Sequence, residues 1–484
     1  MLTYGLTTII GTAWVCRMIV NKRIIFKRSY LDIPIVLFLS SRLISTFFSL
    51  DTNISVWGYY SRFHEGLLAT ISYLLLYYAL ISNLERRSVL RVFYFSFVSA
   101  VIVSLWGWLE HEGRSISCAF IPPYNFDVSC WVQDVKSRVF ATLGQPNWMG
   151  AYLNVIILTS IGFALSIKDK LSGEKLNSSN TMVKSLFIIL TGLCFAALLF
   201  TRSRSSVLGL FSGLAILLIY YSYRQITFEK FNNIKLASVL FGLLTLIALF
   251  FGLPFDKMDK FTIPNLLSSK NEVTVTTTTT KPSDGYIDIG ISTSGDIRKI
   301  VWKGAIKVWQ RYPVFGSGVE TFALAYYKDR PPEHNYVSEW DFLYNKAHNE
   351  FLNILATTGT VGILTYLLLI SAFCYWVFKL TIFQVIKSFL SKKTSPNSNP
   401  NQQSLNTGQL LLIISLFAAY VSILVTNFFG FSVVIIGLYF YLIPGFCLLL
   451  ITPQSLEKAQ PEKSNSQISK QQTPIGPWQI LLVG

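Results

Sequence analysis

An all-α bundle of about eleven membrane-spanning helices is the fold class this sequence predicts, and three observations predict it. Only 14% of its 484 residues are charged and 52% are hydrophobic, with a mean hydropathy of +0.47. A soluble domain carries about 25% charge, and a globule of this size cannot hide so much apolar surface from water. Apolar runs recur at the length a bilayer core needs, about 20 residues as a helix. The short loops between them alternate, every second one rich in Lys and Arg, as the topology of a multi-pass chain requires.

The runs fall at 2–20, 31–50, 66–84, 88–108, 148–167, 182–201, 205–223, 235–254, 350–378, 408–428 and 430–451. Backbone groups in lipid must bond within their own segment, and runs this long and leucine-rich favour helices over a barrel. The basic loops are "NKRIIFKR", "ERRSVLR", "KDKLSGEK", "YRQITFEKFNNIK" and "KKTSPNSNPNQQ". With these in the cytoplasm, the N-terminus lies outside and the C-terminus inside. No cleavable signal is expected, because the first run has its basic cluster after it rather than before. Arg17 and Arg42 interrupt the first two runs. A central arginine costs about 2.5–3.5 kcal/mol, so each is expected at an interface or facing protein.

The outside segments are then 51–65, 109–147, the brief 202–204 turn, a long 255–349 stretch and 428–431. The chain divides into helices one to eight (1–254), one large external loop between helices eight and nine (255–349), helices nine to eleven (350–451) and a disordered cytoplasmic tail (452–484). Within the loop, 268–295 reads as a mobile insert. After it, Ile297, Ile300, Val301, Ala305 and Val308 recur at helical spacing, so a helix is predicted over 297–311, ended before Pro313. The net charge of +16 belongs to this topology and implies no nucleic-acid partner. Cys16, Cys194, Cys374 and Cys447 lie in apolar runs and read as small core residues. Cys118 and Cys130 flank one polar loop, "SCAFIPPYNFDVSC", where a bridge and two free thiols both fit.

Several chemistries are missing from the sequence. It has no phosphate-binding P-loop, no zinc-spaced Cys and His, and no DxD pair to hold a metal against a nucleotide diphosphate. The "EHE" at 110–112 reads as a solvated loop edge rather than a metal site. The positive signals lie on the external side. Arg202 and Arg204 occupy a two- or three-residue turn; paired guanidinium donors suit phosphate, and the helix that follows adds free N–H groups. Their alternative is snorkelling to headgroups. Arg298 opens the loop helix. His348 stands where the external loop meets the ninth run. An imidazole, with an unperturbed pKa of about 6.5, accepts a proton near neutral pH, and Asn349 beside it is placed to orient it or bond a sugar. The alternative is a histidine capping an interfacial helix. His334 has the same Asn neighbour, so the dipeptide alone is not specific.

Taken together, these stretches resemble the O-antigen ligase and Wzy-type polymerase family. "LFTRSRSSVLGL" is similar to its Ser-Arg turn, with Arg204 the matching arginine. "RKIVWKGAIKVWQRYPVFGSGVETF" resembles its loop pattern at Arg298, Trp302, Pro313, Gly316, Gly318 and Phe322. "AHNEFLNILATTGTVG" resembles its His-Asn helix at His348, Asn349, Gly359 and Gly362, and "LGQPNWMGAYL" and "SVWGYYSRFHEG" look like further segments of the family. The resemblance implies a GT-C-like membrane glycosyltransferase of the inner (plasma) membrane. Such enzymes move a glycan from a polyprenyl-diphosphate carrier to a hydroxyl of a lipid or glycan acceptor on the periplasmic face. It implies an inverting reaction without metal or other cofactor. His348 would be the base, and Arg204 and Arg298 would stabilise the departing diphosphate. Arg202, Asn349, Trp302, Gly316 and Gly318 would lie at the substrate. The family usually has about twelve spans, one more than counted here. A second reading, a bicarbonate or small-anion transporter, calls for buried ionisable pairs or inverted repeats. The sequence shows no repeat and no evident acid partner for Arg17 or Arg42.

Overall fold

The structure is a computed structural model that describes residues 2–60, 63–167, 178–228, 234–255, 262–263, 294–393 and 407–452. The proposed insert up to residue 293 and the tail from 453 onward lie outside the described residues, as do most residues of the last three basic loops. Among the described residues every regular element is helical and no strand forms, a single bridge between Arg114 and Asp127 being the nearest approach.

Fourteen α-helices are described. They are α1 (Leu2–Val20), α2 (Asp32–Phe47), α3 (Thr52–Trp57), α4 (Leu67–Asn83), α5 (Arg86–His111), α6 (Pro146–Ser166), α7 (Ser178–Phe200), α8 (Arg204–Phe228), α9 (Ile234–Phe251), α10 (Ser294–Arg311), α11 (Phe322–Asp329), α12 (Glu350–Lys393), α13 (Thr407–Phe428) and α14 (Val434–Ile451). A helix stands at each of the eleven predicted places. Eight of them, α1, α5, α6, α7, α8, α12, α13 and α14, are long and apolar enough to cross a membrane, so the protein is a polytopic membrane protein. The other three are shorter: α2 has 16 residues and carries Arg42, α4 has 17, and the apolar part of α9 is Leu236–Phe251.

At the centre lies α6, of whose apolar window 94% is buried. Small residues let its neighbours approach closely: a Cβ at Gly150 would stand 2.2 Å from Ser206 Oγ on α8, and one at Gly162 2.1 Å from Ser415 Oγ on α13. By contrast, α1 is peripheral, with only Thr7 buried. Two sets of contacts mark the two ends of the bundle. At one end, Lys27 Nζ donates to Thr452 Oγ1 at 3.1 Å, the Lys27 N–H to Ser82 Oγ at 3.0 Å, and Arg17 to Asn83 Oδ1 at 2.9 Å. At the other end the predicted outside segments meet. The Leu50 N–H donates to the Ser317 carbonyl at 2.9 Å, the Val139 N–H to Phe200 at 3.3 Å, and Trp148 packs on Phe431 at 5.7 Å.

That second end carries a small folded unit. The predicted helix appears as α10, and its Ile297, Val301, Ala305 and Val308 form a core with Phe322 and Tyr326 of α11. His334 lies inside this unit, fully buried, with Tyr326 Oη 2.7 Å from its Nδ1 and the Glu339 carbonyl 3.1 Å from its Nε2. A disulfide joins Cys118 to Cys130 in the segment after α5, with Cα atoms 5.8 Å apart. The "EHE" reading needs correction. Glu110 is fully buried, accepting the N–H groups of Phe140 and Ala141 at 3.1 and 2.8 Å, and His111 stacks on Phe200 at 4.1 Å. Two backbone donors repay the burial of the carboxylate, so this residue ties a loop down instead of edging it.

One helix is broken on purpose. In α12, Gly359 has φ +67°, which ends one helical segment and starts another. The 313–318 turn fills the gap. The Thr360 and Val361 N–H groups donate to the Pro313 and Val314 carbonyls at 2.8 and 3.2 Å, while the Ser317 and Gly318 N–H groups donate to Ala356 and Thr357 at 3.1 and 2.9 Å. Groups that a helix break would leave bare in the membrane are thus satisfied by the small folded unit. Glycine is required on both sides of this clasp: a Cβ at Gly316 would meet the Thr357 backbone at 2.2 Å, and one at Gly359 the Val314 carbonyl at 2.3 Å.

Candidate functional site

Four chain segments bring the predicted polar residues to one end of the bundle. The first is the turn between α7 and α8. Ser203 Oγ donates to Asn147 Oδ1 at 2.9 Å and lies 2.7 Å from Ser206 Oγ, while Asn154 Nδ2 donates to the Ser206 carbonyl at 2.8 Å. This network fixes Arg204 at the first position of α8, where its Nε donates to the Pro254 carbonyl at 2.9 Å. Arg202 sits in the same turn at φ +50° with its side chain exposed.

The second segment supplies an arginine that sequence reasoning missed. Arg138 lies two residues before Phe140, whose N–H is held by Glu110. Arg138 and Arg204 are near enough to repel. Desolvation, and then the Arg204 charge, lower the pKa of Arg138 without discharging a guanidinium. Arg298, in the first turns of α10, is half-buried. Its pKa too is lowered by desolvation first and by Arg138, against the pull of Tyr344 and Glu339. Arg138 therefore links the two arginines that the motifs singled out.

The fourth segment carries the histidine. Tyr344 donates to Glu339 and faces Arg298, and its ring lies 5.4 Å from that of His348, which lies 5.3 Å from Phe431. His348 has φ +51°, a region a non-glycine residue enters only when its surroundings hold it there. They do so on both sides. Lys346 is buried and paired with Glu65 and Glu320, and Asn349 caps α12, its Oδ1 accepting the Leu352 N–H at 3.1 Å. The result is a continuous series from Arg204 through Arg138, Arg298 and Tyr344 to His348.

Other expected residues stand elsewhere. Trp302 packs on Phe428 at 5.8 Å. Gly316 and Gly318 belong to the α12 clasp, a Cβ at Gly318 lying 2.0 Å from Ser49 Oγ. Asn349 is 2% exposed and occupied in capping. Arg42 also needs correction: it is buried beside acids, donating to the Glu65 carbonyl in a pocket with Glu320 and Glu350. These acids come from segments up to 308 residues away in sequence from Arg42, so no local pattern announces them. Arg138 gave equally little signal, as a lone arginine in a long loop.

A comparison with curated proteins gives no match. Residues 189–367 match the family described as O-antigen ligase (Wzy_C). The matched stretch contains Arg204, Arg298 and His348, and the clasp that ties α12 to the small folded unit. Through this segment the chain is similar to the O-antigen ligase family.

Proposed function

We propose that this protein moves a glycan from a polyprenyl-diphosphate carrier onto an acceptor hydroxyl at the periplasmic face of the inner membrane, with inversion and without a metal. The observation that carries the reading is the series of three arginines running up to His348. Diphosphate gains negative charge at the departing oxygen as the bond to the sugar breaks. Guanidinium groups held in advance favour that state over the bound ground state. His348 takes the proton of the acceptor hydroxyl as its oxygen bonds to the anomeric carbon. The carbon–oxygen bond to the diphosphate breaks with its electron pair, and the histidine returns its proton to water. Attack opposite the leaving group inverts the anomeric centre.

Arg204, Arg298 and Arg138 hold the diphosphate, and Arg202 extends the positive surface toward lipid headgroups. Asn349, Gly316 and Gly318 act by fixing the His348 loop and the clasp rather than by touching sugar, and Trp302 braces α10 against α13. The N-terminus lies outside and the C-terminus in the cytoplasm, consistent with the grouping of loops at the two ends. Nothing in the family match favours the transporter alternative.

The test is reconstitution in lipid vesicles with a polyprenyl-diphosphate glycan. A lipid acceptor is supplied in one arm and a second carrier-linked glycan in the other; the arm that yields product separates a ligase from a polymerase. Product with the opposite anomeric configuration is expected, persisting in chelator. Replacing His348 with Ala should lower turnover by about 10²–10⁴-fold, the range of general-base catalysis, in a protein that still folds. Undiminished transfer by that variant removes the base.

A further inference from the structure

Beneath the His348 loop lies a second charged cluster that the transfer reaction does not use. Lys346, 1% exposed, is bonded to both Glu65 and Glu320. Arg42, 8% exposed, donates to the Glu65 backbone carbonyl and lies over the Phe38 ring, and its Nε has no hydrogen-bond partner. Glu350 has no ion pair with Lys346, and its Oε2 is buried without a partner, as are Glu65 Oε1 and Glu320 Oε2. A cavity of about 40 Å³ opens among Arg42, Glu65, Glu320 and Glu350, enough for water to enter.

With His64 neutral, two cations stand against three carboxylates and leave one negative charge uncompensated in a buried place, where an unpaired charge is costly. Among the described residues no three acidic, His or Cys side chains converge as metal ligands do. We propose that this cluster is a proton-binding site, in which Glu350 holds one proton as a neutral carboxyl and thereby balances the charge. Protonation needs no converging ligands, and Glu350 is the carboxyl with no cation bonded to it. The other facing groups agree. Burial above all raises the Glu320 carboxyl, whereas burial at Glu65 is outweighed by Lys346, His64 and Arg42, which keep it lowered. Burial opposes the charge on Lys346, and the two bonded carboxylates more than restore it. Tyr4 on α1, Tyr73 on α4, and Tyr366 and Tyr441 on α12 and α14 complete the titratable surroundings.

Lys346 stands two residues before His348 and Glu350 two after it. While Glu350 is neutral, Lys346 is committed to Glu65 and Glu320. Once ionised, Glu350 competes for it and loosens the loop that holds His348 at positive φ. The link to turnover rests on the function proposed above; the proton itself does not. The purified protein should show the infrared carbonyl stretch of a protonated carboxyl at neutral pH, titrating away in alkali, absent from Glu350→Gln and retained in Glu320→Gln. A wild-type spectrum without that band overturns the proposal, even if no variant folds. So does a band that survives in Glu350→Gln, or a proton found by NMR on His64 instead. In the reconstituted transfer assay, wild type should lose activity in alkali while Glu350→Gln keeps wild-type turnover at neutral pH and lacks the alkaline loss. If transfer itself fails, the infrared result still stands on its own.

Discussion

Two clusters of cations lie on either side of the His348 loop, and they are built on opposite rules. On one side Arg138, Arg204 and Arg298 face one another, and the neighbouring charges of Arg204 and Arg138 help lower the pKa values of Arg138 and Arg298. On the other side Lys346 and Arg42 face Glu65, Glu320 and Glu350, and the Lys346 charge is reinforced. Mutual repulsion among guanidiniums is a standing cost that an incoming diphosphate relieves. Lys346 is paired inside the protein, so its charge has nothing left for an anionic ligand to relieve. On the function proposed above, basic residues at the same end of the bundle thus divide between a place for a substrate and a fastening.

The sharpest way to break this contrast is to neutralise each side. Arg204→Gln or Arg298→Gln should lower kcat by roughly 10²–10³-fold, the cost of losing one group that stabilises developing negative charge. Stability should be unchanged or slightly raised as repulsion falls; a variant that loses stability in proportion to activity assigns the arginines to fastening after all. Arg138→Gln should show the same signature more weakly. Lys346→Met should do the reverse and destabilise the fold by about 3–5 kcal/mol, because it strands Glu65 and Glu320 without their cation; thermal unfolding in detergent measures it. A smaller effect is expected of Gly359→Ala, about 1–3 kcal/mol from forcing a side chain to positive φ against the Val314 carbonyl, with transfer falling because the clasp shifts.

The mildest effect concerns His334, in the unit that carries Arg298. Its Nε2–H donates to Glu339 and its Nδ1 accepts from Tyr326, the neutral form of the ring, and burial lowers its pKa. The unfolded chain therefore binds the proton more readily than the folded one. Stability is full above the ordinary histidine pKa of about 6.5 and declines as pH falls below it. Unfolding of the wild type at pH 8 and pH 5 should show this decline, and His334→Gln should flatten it.

The apolar runs made the helices legible in the sequence, because a bilayer sets their length directly. Arg204 and His348 were conspicuous because each stands at the border of an apolar run, and Arg298 because it opens the amphipathic helix of the long loop. Arg138 and the acids around Arg42 were not. Glu65, Glu320 and Glu350 each read as a single charge beside a helix, and only packing makes them one group. Nor does a glycine in an apolar run reveal whether it permits close packing, as Gly162 does, or breaks the helix, as Gly359 does.

The clasp at Gly359 has a consequence for anyone recombining such proteins. The small folded unit donates to and accepts from the backbone of α12 at four places, so the natural cut between that unit and the long apolar helix does not fall at residue 350. A chimera that exchanges the external segment with that of a relative should carry the turns of α12 through Val361 along with it; a graft ending at His348 would join two halves of one hydrogen-bonded joint taken from different donors.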